Sequence, residues 1–324
     1  MAYVPVDYTN KRYQAEPLRR FGQEAFEQAG MPPALAEELA GYLIATDLRG
    51  VLSHGTRSIP GYVPAFQSRR YNPAPVIKIT REAGSVVQFD GDGSIGHLVA
   101  ARAVRGAVTK ARQNGIGIAT AVRCGHTGSI GNWTRIGTDS GMICVVYSTA
   151  VSLPHYTHQQ TLINANGDPP YSVGFPGTPP VVIDMGTLLD KPEYQDRIAE
   201  ISRLPLIKGV ALQTINLMMT MPLTAMQATP EEPYPGAFCS LTTIAIDPAF
   251  FGPAASFHDE IERLRQGMHT MEPLPGLSRT VLPGELEADR EADFRTNGIP
   301  LDPSHIDALA QLADEMGIAR YWEQ

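Results

Sequence analysis

Between Ser85 and Ser148 the chain alternates strand-like and helix-like segments, and this alternation restricts its fold more than any other feature. SVVQFD (85–90) is strand-like, and HLVAARAVRGAVTKARQNG (97–115) has helical apolar spacing and a stop at Gly115. GIGIATAVR (115–123) reads as a buried strand. A glycine-rich turn, a helix through NWTRIGTDSG (132–141) and a strand, MICVVYS (142–148), complete the run. Strands alternating with helices specify an α/β protein. Two amphipathic helices precede this core, EPLRRFGQEAFEQAG (16–30) and PPALAEELAGYLIATDLRG (32–50). After it, residues 150–180 read as loop. VVIDMG (181–186) reads as a short strand and KGVALQTINLMMTMPLTAMQA (208–228) as a long helix with methionines filling the core. FCSLTTIAIDP (238–248) reads as a strand, FHDEIERLRQGM (257–268) as a charged helix, and DPSHIDALAQLADEMG (302–317) as a helix capped by Asp302.

Composition narrows the function classes. With 324 residues the chain allows about two domains. A net charge of −8, with no basic block, speaks against a grip on nucleic acid or an anionic membrane and for a small-molecule ligand. The three cysteines, Cys124, Cys144 and Cys239, form no CxxC pair and read as free thiols of a reducing compartment. No apolar run approaches the roughly 18 residues of a membrane span, and the N-terminus lacks a signal-peptide pattern. A cytoplasmic protein is expected.

Gly91-Asp92-Gly93-Ser94-Ile95-Gly96 is a literal GxGxxG between a strand and a helix, the context of a dinucleotide fingerprint. The next strand ends in Arg123 where such a fingerprint places a ribose-binding acid, so a structural turn is the competing reading. A second cluster carries more chemistry. Within residues 47–57, Arg49 and Arg57 flank Ser53 and His54. Reduction of a 2-oxo acid needs a cation for the carboxylate, which suits arginine, and a proton donor at the carbonyl oxygen, which suits histidine. A solvated helix end is the alternative. His126, in Arg123-Cys124-Gly125-His126-Thr127-Gly128-Ser129, is either a second acid–base group or a turn histidine. Asp184 at a strand end either orients an imidazole or caps a helix. Lys208-Gly209 heads the long helix, where the lysine meets a cofactor or lies on the surface. No HxH or HxxxH pair suggests a metal.

These residues sit in segments that resemble the malate/L-lactate dehydrogenase family that is unrelated to the Rossmann-type enzymes of those names. The segments are DLRGVLSHGTRSIPGYV (47–63), FDGDGSIGHLVAARAV (89–104), GIGIATAVRCGHTGSIGNW (115–133), PPVVIDMGT (179–187), KGVALQTINLMM (208–219) and LPGELE (282–287). The resemblance implies a non-Rossmann α/β fold with a mixed sheet, N-terminal helices and discontinuous domains. Its expected parts are 1–75 with the SHG site motif, a central α/β part over 76–205, a cofactor-side part over 206–280, and 281–324 packing back on the N-terminal part. It implies a homodimer that transfers hydride between NAD or NADP and a 2-hydroxy/2-oxo acid or cyclic imine. By the same resemblance, His54 beside Ser53 is the proton donor and Asp184 completes its relay, with His126 a further acid–base candidate. Arg49 or Arg57 holds the substrate carboxylate. Ser148, Thr178, Val181, Asp184, Met185, Lys208, Gly209, Gly284 and Glu285 fall in cofactor-contacting segments.

The chain departs from the family at Gly167-Asp168-Pro169-Pro170, where GTNP is usual, and at Ser148-Thr149, where Thr-Asn is usual. It also departs at Gly186-Thr187-Leu188 in place of ATS, in a shorter stretch between Asp184 and Lys208, and at Ser58, where many members carry the arginine that here is Arg57. The alternative function is a cofactor-independent isomerase or lyase using the same His/Asp pair on a carboxylate. A non-catalytic ligand-binding module is the third.

Overall fold

The computed structural model describes residues 6–149, 163, 168–186, 192–225, 233–273 and 278–323. Most of the loop expected over 150–180 and the end of the helix expected to reach 228 lie outside the described residues. The chain divides into two compact units that are discontinuous in sequence. One comprises residues 1–75, 177–181 and 258–324, the other 76–176 and 182–257. The parts expected at 206–280 and 281–324 are grouped differently, with 258–280 joining the terminal segments.

The first unit is mainly helical. Helices α1 (Ala15–Gln28), α2 (Pro33–Leu48) and α3 (Ile59–Gln67) come from its N-terminal segment. The later part of α8 (Ala254–His269), α9 (Glu285–Asn297) and α10 (Pro303–Met316) come from its C-terminal one. A two-residue ladder joins β1 (Arg12–Tyr13) to β9 (Ile299–Pro300). Leu18, Phe21, Phe26, Leu39, Leu43, Ile59, Phe66, Phe294 and Leu309 are buried. Phe21 meets the Trp322 ring edge-on at 5.0 Å, so the C-terminus is anchored in the same core. Asp302 caps α10, accepting the His305 N–H at 3.0 Å, as its position before the apolar run predicts.

The second unit holds a seven-stranded sheet in the order β2-β3-β4-β8-β5-β6-β7. The strands are β2 (Lys78–Ala83), β3 (Val86–Asp90), β4 (Ile116–Cys124), β5 (Ile143–Ser148), β6 (Tyr171–Phe175), β7 (Val181–Met185) and β8 (Cys239–Ile246). β3 and β4 run parallel; β2–β3, β4–β8, β8–β5 and β5–β6 are antiparallel. The sheet is therefore mixed, not the parallel sheet of a doubly wound nucleotide fold. α4 (Gly96–Asn114) makes the crossover from β3 to β4 and ends at Gly115 with φ +78. It lies so close on β4 that a Cβ on Gly117 would come within 2.0 Å of the Ala107 carbonyl. α5 (Gly131–Asp139) leads into β5.

The helix expected from Lys208 differs in two respects. After α6 (Pro192–Ile201), α7 (Leu204–Thr220) starts one turn earlier than Lys208. Its methionines do not fill the core: Met218 is 56 % exposed, and the inward face carries Gln213, Asn216, Leu217 and Thr220. The hydroxyls of Thr220 and Thr214 satisfy carbonyls one turn back, and the Asn216 amide reaches a neighbouring segment, which is how a polar face can be buried here.

Candidate active site

The GDGSIG turn uses its backbone donors on the protein itself. The N–H groups of Gly91 and Gly93 bond the Val122 and Arg123 carbonyls, those of Ser94 and Gly96 bond Gly91 and His126, and that of Asp92 bonds the Asp90 carboxylate. Asp92 and Gly93 take φ +52 and +77, and the Tyr234 ring covers Gly93 so closely that a Cβ would stand 2.3 Å from it. Arg123, at the strand end, pairs with Asp90 at 3.2 Å. A phosphate cradle needs unspent N–H groups; this segment is a structural turn.

In the first unit the SHG turn follows α2. Ser53 Oγ lies 2.7 Å from His54 Nδ1, and burial pushes the imidazole down to about 4. Of the two expected carboxylate holders, Arg49 bonds Glu291 at 3.0 Å and the Ala45 carbonyl at 3.3 Å, bracing α2 against α9. Arg57 bonds Asp302 through Nη2, while its buried Nε has no partner among the described residues. Behind the turn, Asp47 is fully buried and accepts both the N–H (2.9 Å) and the hydroxyl (2.5 Å) of Thr56. Burial raises its carboxyl to about 7 against the pull of these bonds and of Arg57. Thr56 Oγ1 lies 3.0 Å from His305 Nε2 on α10.

The same unit joins two of the expected cofactor-contacting segments. Arg265 is buried on α8, bonding Glu285 through Nη1 and the Pro179 carbonyl through Nη2 at 2.6 Å. Glu285 also accepts from His269 at 2.9 Å and from the Leu282 N–H at 2.9 Å. Burial would raise the Glu285 carboxyl, but the His269, Leu282 and Arg265 bonds outweigh it and hold it below its usual range. Arg265 thus ties the stretch containing Thr178 and Val181 to Gly284-Glu285, and Gly284 enters α9 at φ +97.

In the second unit, Asp184 at the exposed end of β7 accepts the Ser129 hydroxyl at 2.7 Å and the Gly131 N–H at 2.8 Å. Its carboxylate sits at the N-terminus of α5, a favourable end for negative charge. Ser129 escaped the sequence reading because nothing in a glycine-rich turn marks one hydroxyl as the partner of a strand 55 residues on. His126 is half-buried, its ring edge-on to His97 at 6.2 Å. Ser148 at the end of β5 bonds the Thr127 hydroxyl at 2.9 Å, and its N–H bonds the Pro170 carbonyl. Asn216 on α7 donates to the Pro169 and Pro170 carbonyls at 3.1 and 2.6 Å, drawing α7, the Asp168-Pro169-Pro170 segment and the β5 end together. Two buried atoms there, Thr149 Oγ1 and Asn216 Oδ1, have no partner among the described residues. Met185 is exposed and accepts from Tyr171 at 3.5 Å. Lys208 is exposed and lies in the second turn of α7, not at its head, with Gly209 buried beside it.

The sequence pattern of the family described as malate/L-lactate dehydrogenase matches residues 13–188 and 194–310. Hydroxycarboxylate dehydrogenase B of Escherichia coli O157:H7 is 27 % identical, with 95 % of each chain covered. Among solved structures, malate dehydrogenase from Pyrococcus horikoshii OT3 superposes with a TM-score of 0.85 at 22 % identity, over 98 % of each chain. The delta1-piperideine-2-carboxylate reductase of Pseudomonas syringae pvar. tomato superposes with a TM-score of 0.71 at 21 % identity, over 94 % of this chain and all of that one.

Proposed function

Because this chain belongs to the malate/L-lactate dehydrogenase family, an oxidoreductase of the 2-hydroxy acid dehydrogenase type, we propose that it moves hydride to and from C2 of a small 2-oxo acid or cyclic imine carboxylate. The SHG turn carries this reading: a half-buried imidazole held by Ser53 stands three residues from a guanidinium with an unspent donor. His54 gives the proton to the developing alkoxide or amine and takes it back in the oxidation. Arg57 holds the carboxylate, since the recorded bonds of Arg49 brace it to α9 and to its own helix. Asp184 and His126 are the further candidates for acid–base and orienting roles.

NADH or NADPH, when bound, supplies the hydride. The residues fit such a group: Thr149 Oγ1 and Asn216 Oδ1 are buried and unfilled beside Ser148, which suits the hydroxyl and amide groups of a nicotinamide nucleotide. Met185, Lys208 and Gly209 are proposed cofactor contacts, as are Thr178, Val181, Gly284 and Glu285. Titration with NADH and with NADPH, read by nicotinamide fluorescence and thermal shift, tests this. Saturable binding of one nucleotide is expected, adding about 2.7 kcal/mol at a hundredfold excess over Kd; no binding at millimolar nucleotide would leave the redox-neutral alternative standing.

A homodimer belongs to the same proposal. Leu204, Ile207, Ile215 and Met218 form an outward stripe on α7, each at least half exposed and none charged. With Lys208 exposed at its edge, this apolar stripe is of the kind that a second copy of the chain would cover. Sedimentation equilibrium at micromolar concentration should return the dimer mass, and a monomer mass would overturn the assignment. Among the described residues no helix is long and apolar enough to cross a membrane. The three cysteines are free and buried, which supports the cytoplasm as the location.

A further inference from the structure

Asp47 is a buried carboxyl group that the proposed reaction leaves unused. It lies in the last turn of α2, with no exposed surface. With Asp47 ionised, the Thr56 hydroxyl donates to Asp47 Oδ2 and its oxygen accepts from His305 Nε2. Asp47 Oδ1 and His305 Nδ1 have no partner among the described residues. Burial drives His305 down to about 3, in keeping with a neutral ring. Arg57 and, beyond it, Asp302 are the other charged groups around this chain.

The position of the carboxylate is what gives it a role. Gly55 follows His54 and lies flat on Asp47, so that a Cβ there would be 1.8 Å from Oδ1. Thr56, next in the chain, gives Asp47 both of its donors. Asp47 therefore grips the two residues that follow His54, one by contact and one by two hydrogen bonds. A carboxylate buried with an unfilled oxygen is costly, and apolar packing could hold a plain turn at less cost.

We propose that Asp47, acting through Thr56 and backed by His305, is a positioning residue for His54, fixing the turn 53–56 so that the imidazole meets the substrate oxygen. This rests on the assignment of His54 as the acid–base group. The test compares D47A, D47N, T56V and T56S with the wild type by steady-state kinetics and by NMR of 13C-labelled histidine without substrate. D47A should lower kcat about 100-fold, the cost of a misplacement near 1 Å, while the KM for the nicotinamide nucleotide holds. D47N keeps an oxygen for Thr56 and should recover kcat to within about tenfold and restore the His54 ring resonance. T56V, a milder change should D47A fail to fold, should lower kcat, and T56S should rescue it. Equal loss in D47A and D47N, or an unmoved His54 resonance in D47A, would overturn the proposal. If the wild type reduces no 2-oxo acid or imine, the proposed reaction fails; the NMR arm then decides on Asp47 alone, by whether the resonance moves in D47A and returns in D47N.

Discussion

Replacing His54 with glutamine is expected to lower kcat by about 10²–10⁴, the range for a general acid–base group, with nicotinamide affinity unchanged. The direction of its titration makes the prediction sharper. Burial holds the imidazole near 4, so at neutral pH the free protein carries it unprotonated. That is the form that accepts a proton from a hydroxy acid. Reduction needs the protonated form, whose share falls as pH rises. The oxidative kcat/KM should therefore be level above about pH 4–5, while the reductive kcat/KM should drop about tenfold per pH unit across neutrality, because kcat/KM reports the free enzyme. An anionic substrate raises the pKa of the imidazole once bound, so kcat should fall less steeply than kcat/KM. In the glutamine variant this pH dependence should vanish along with the rate. A reductive kcat/KM that peaks above pH 7 in the wild type would contradict the assignment.

Gly55→Ala should be the most damaging single methyl addition in the SHG turn. The site is already filled where the first side-chain atom would stand. The added Cβ would stand 1.8, 2.3 and 2.7 Å from Oδ1, Cγ and Oδ2 of Asp47. Overpacking a core costs about 1–3 kcal/mol. Here the group that must yield is a buried carboxylate with two hydrogen bonds, and hydrogen bonds to a charged group are worth about 1.5–3 kcal/mol each. A loss of roughly 3 kcal/mol or more in unfolding free energy is expected, together with loss of turnover. The double variant G55A/D47A should lose less than the sum of the two single variants, since the clash disappears with the carboxylate; such non-additivity is the mark of direct contact. Additive losses in denaturant titrations would show that the two residues do not meet.

Much of the fold can be read from residues with one local meaning. Gly115 ends α4 and Asp302 opens α10 because a positive φ and a side-chain cap are decided within a few residues. The start of α7 was legible too, in Pro205 at its first turn, but the Lys208-Gly209 pair drew the boundary one turn late. α3 is masked by its prolines: Pro60 suits a first turn, but Pro64 inside the helix argues against one. β2 has every residue exposed and so shows no apolar alternation, being held by its pairing to β3 alone. The site divides along the same line. Ser53, His54 and Arg57 are neighbours in sequence, so their chemistry is visible there. Asp47 looks like one polar residue in an apolar helix, and His305 like a residue in the first turn of another. The Thr56–His305 step of their link spans 249 residues and exists only once the chain ends share a core. Arg265 likewise looks like one more charge on an acidic-basic helix, and its burial between Glu285 and the Pro179 carbonyl is a tertiary fact.

Hydride transfer to C2 can be followed with a labelled hydride. The purified protein would be given NADH or NADPH deuterated at the transferable position of C4, with a panel of 2-oxo acids and cyclic imines in ordinary water, and the products examined by mass spectrometry and proton NMR. One deuterium at C2 of the hydroxy or amino acid product is expected, matched mole for mole by oxidised nucleotide. Turnover of a carboxylate substrate that leaves the nucleotide unoxidised, and that incorporates deuterium only when the solvent is heavy water, would contradict it and assign the His54 turn to proton abstraction without redox change.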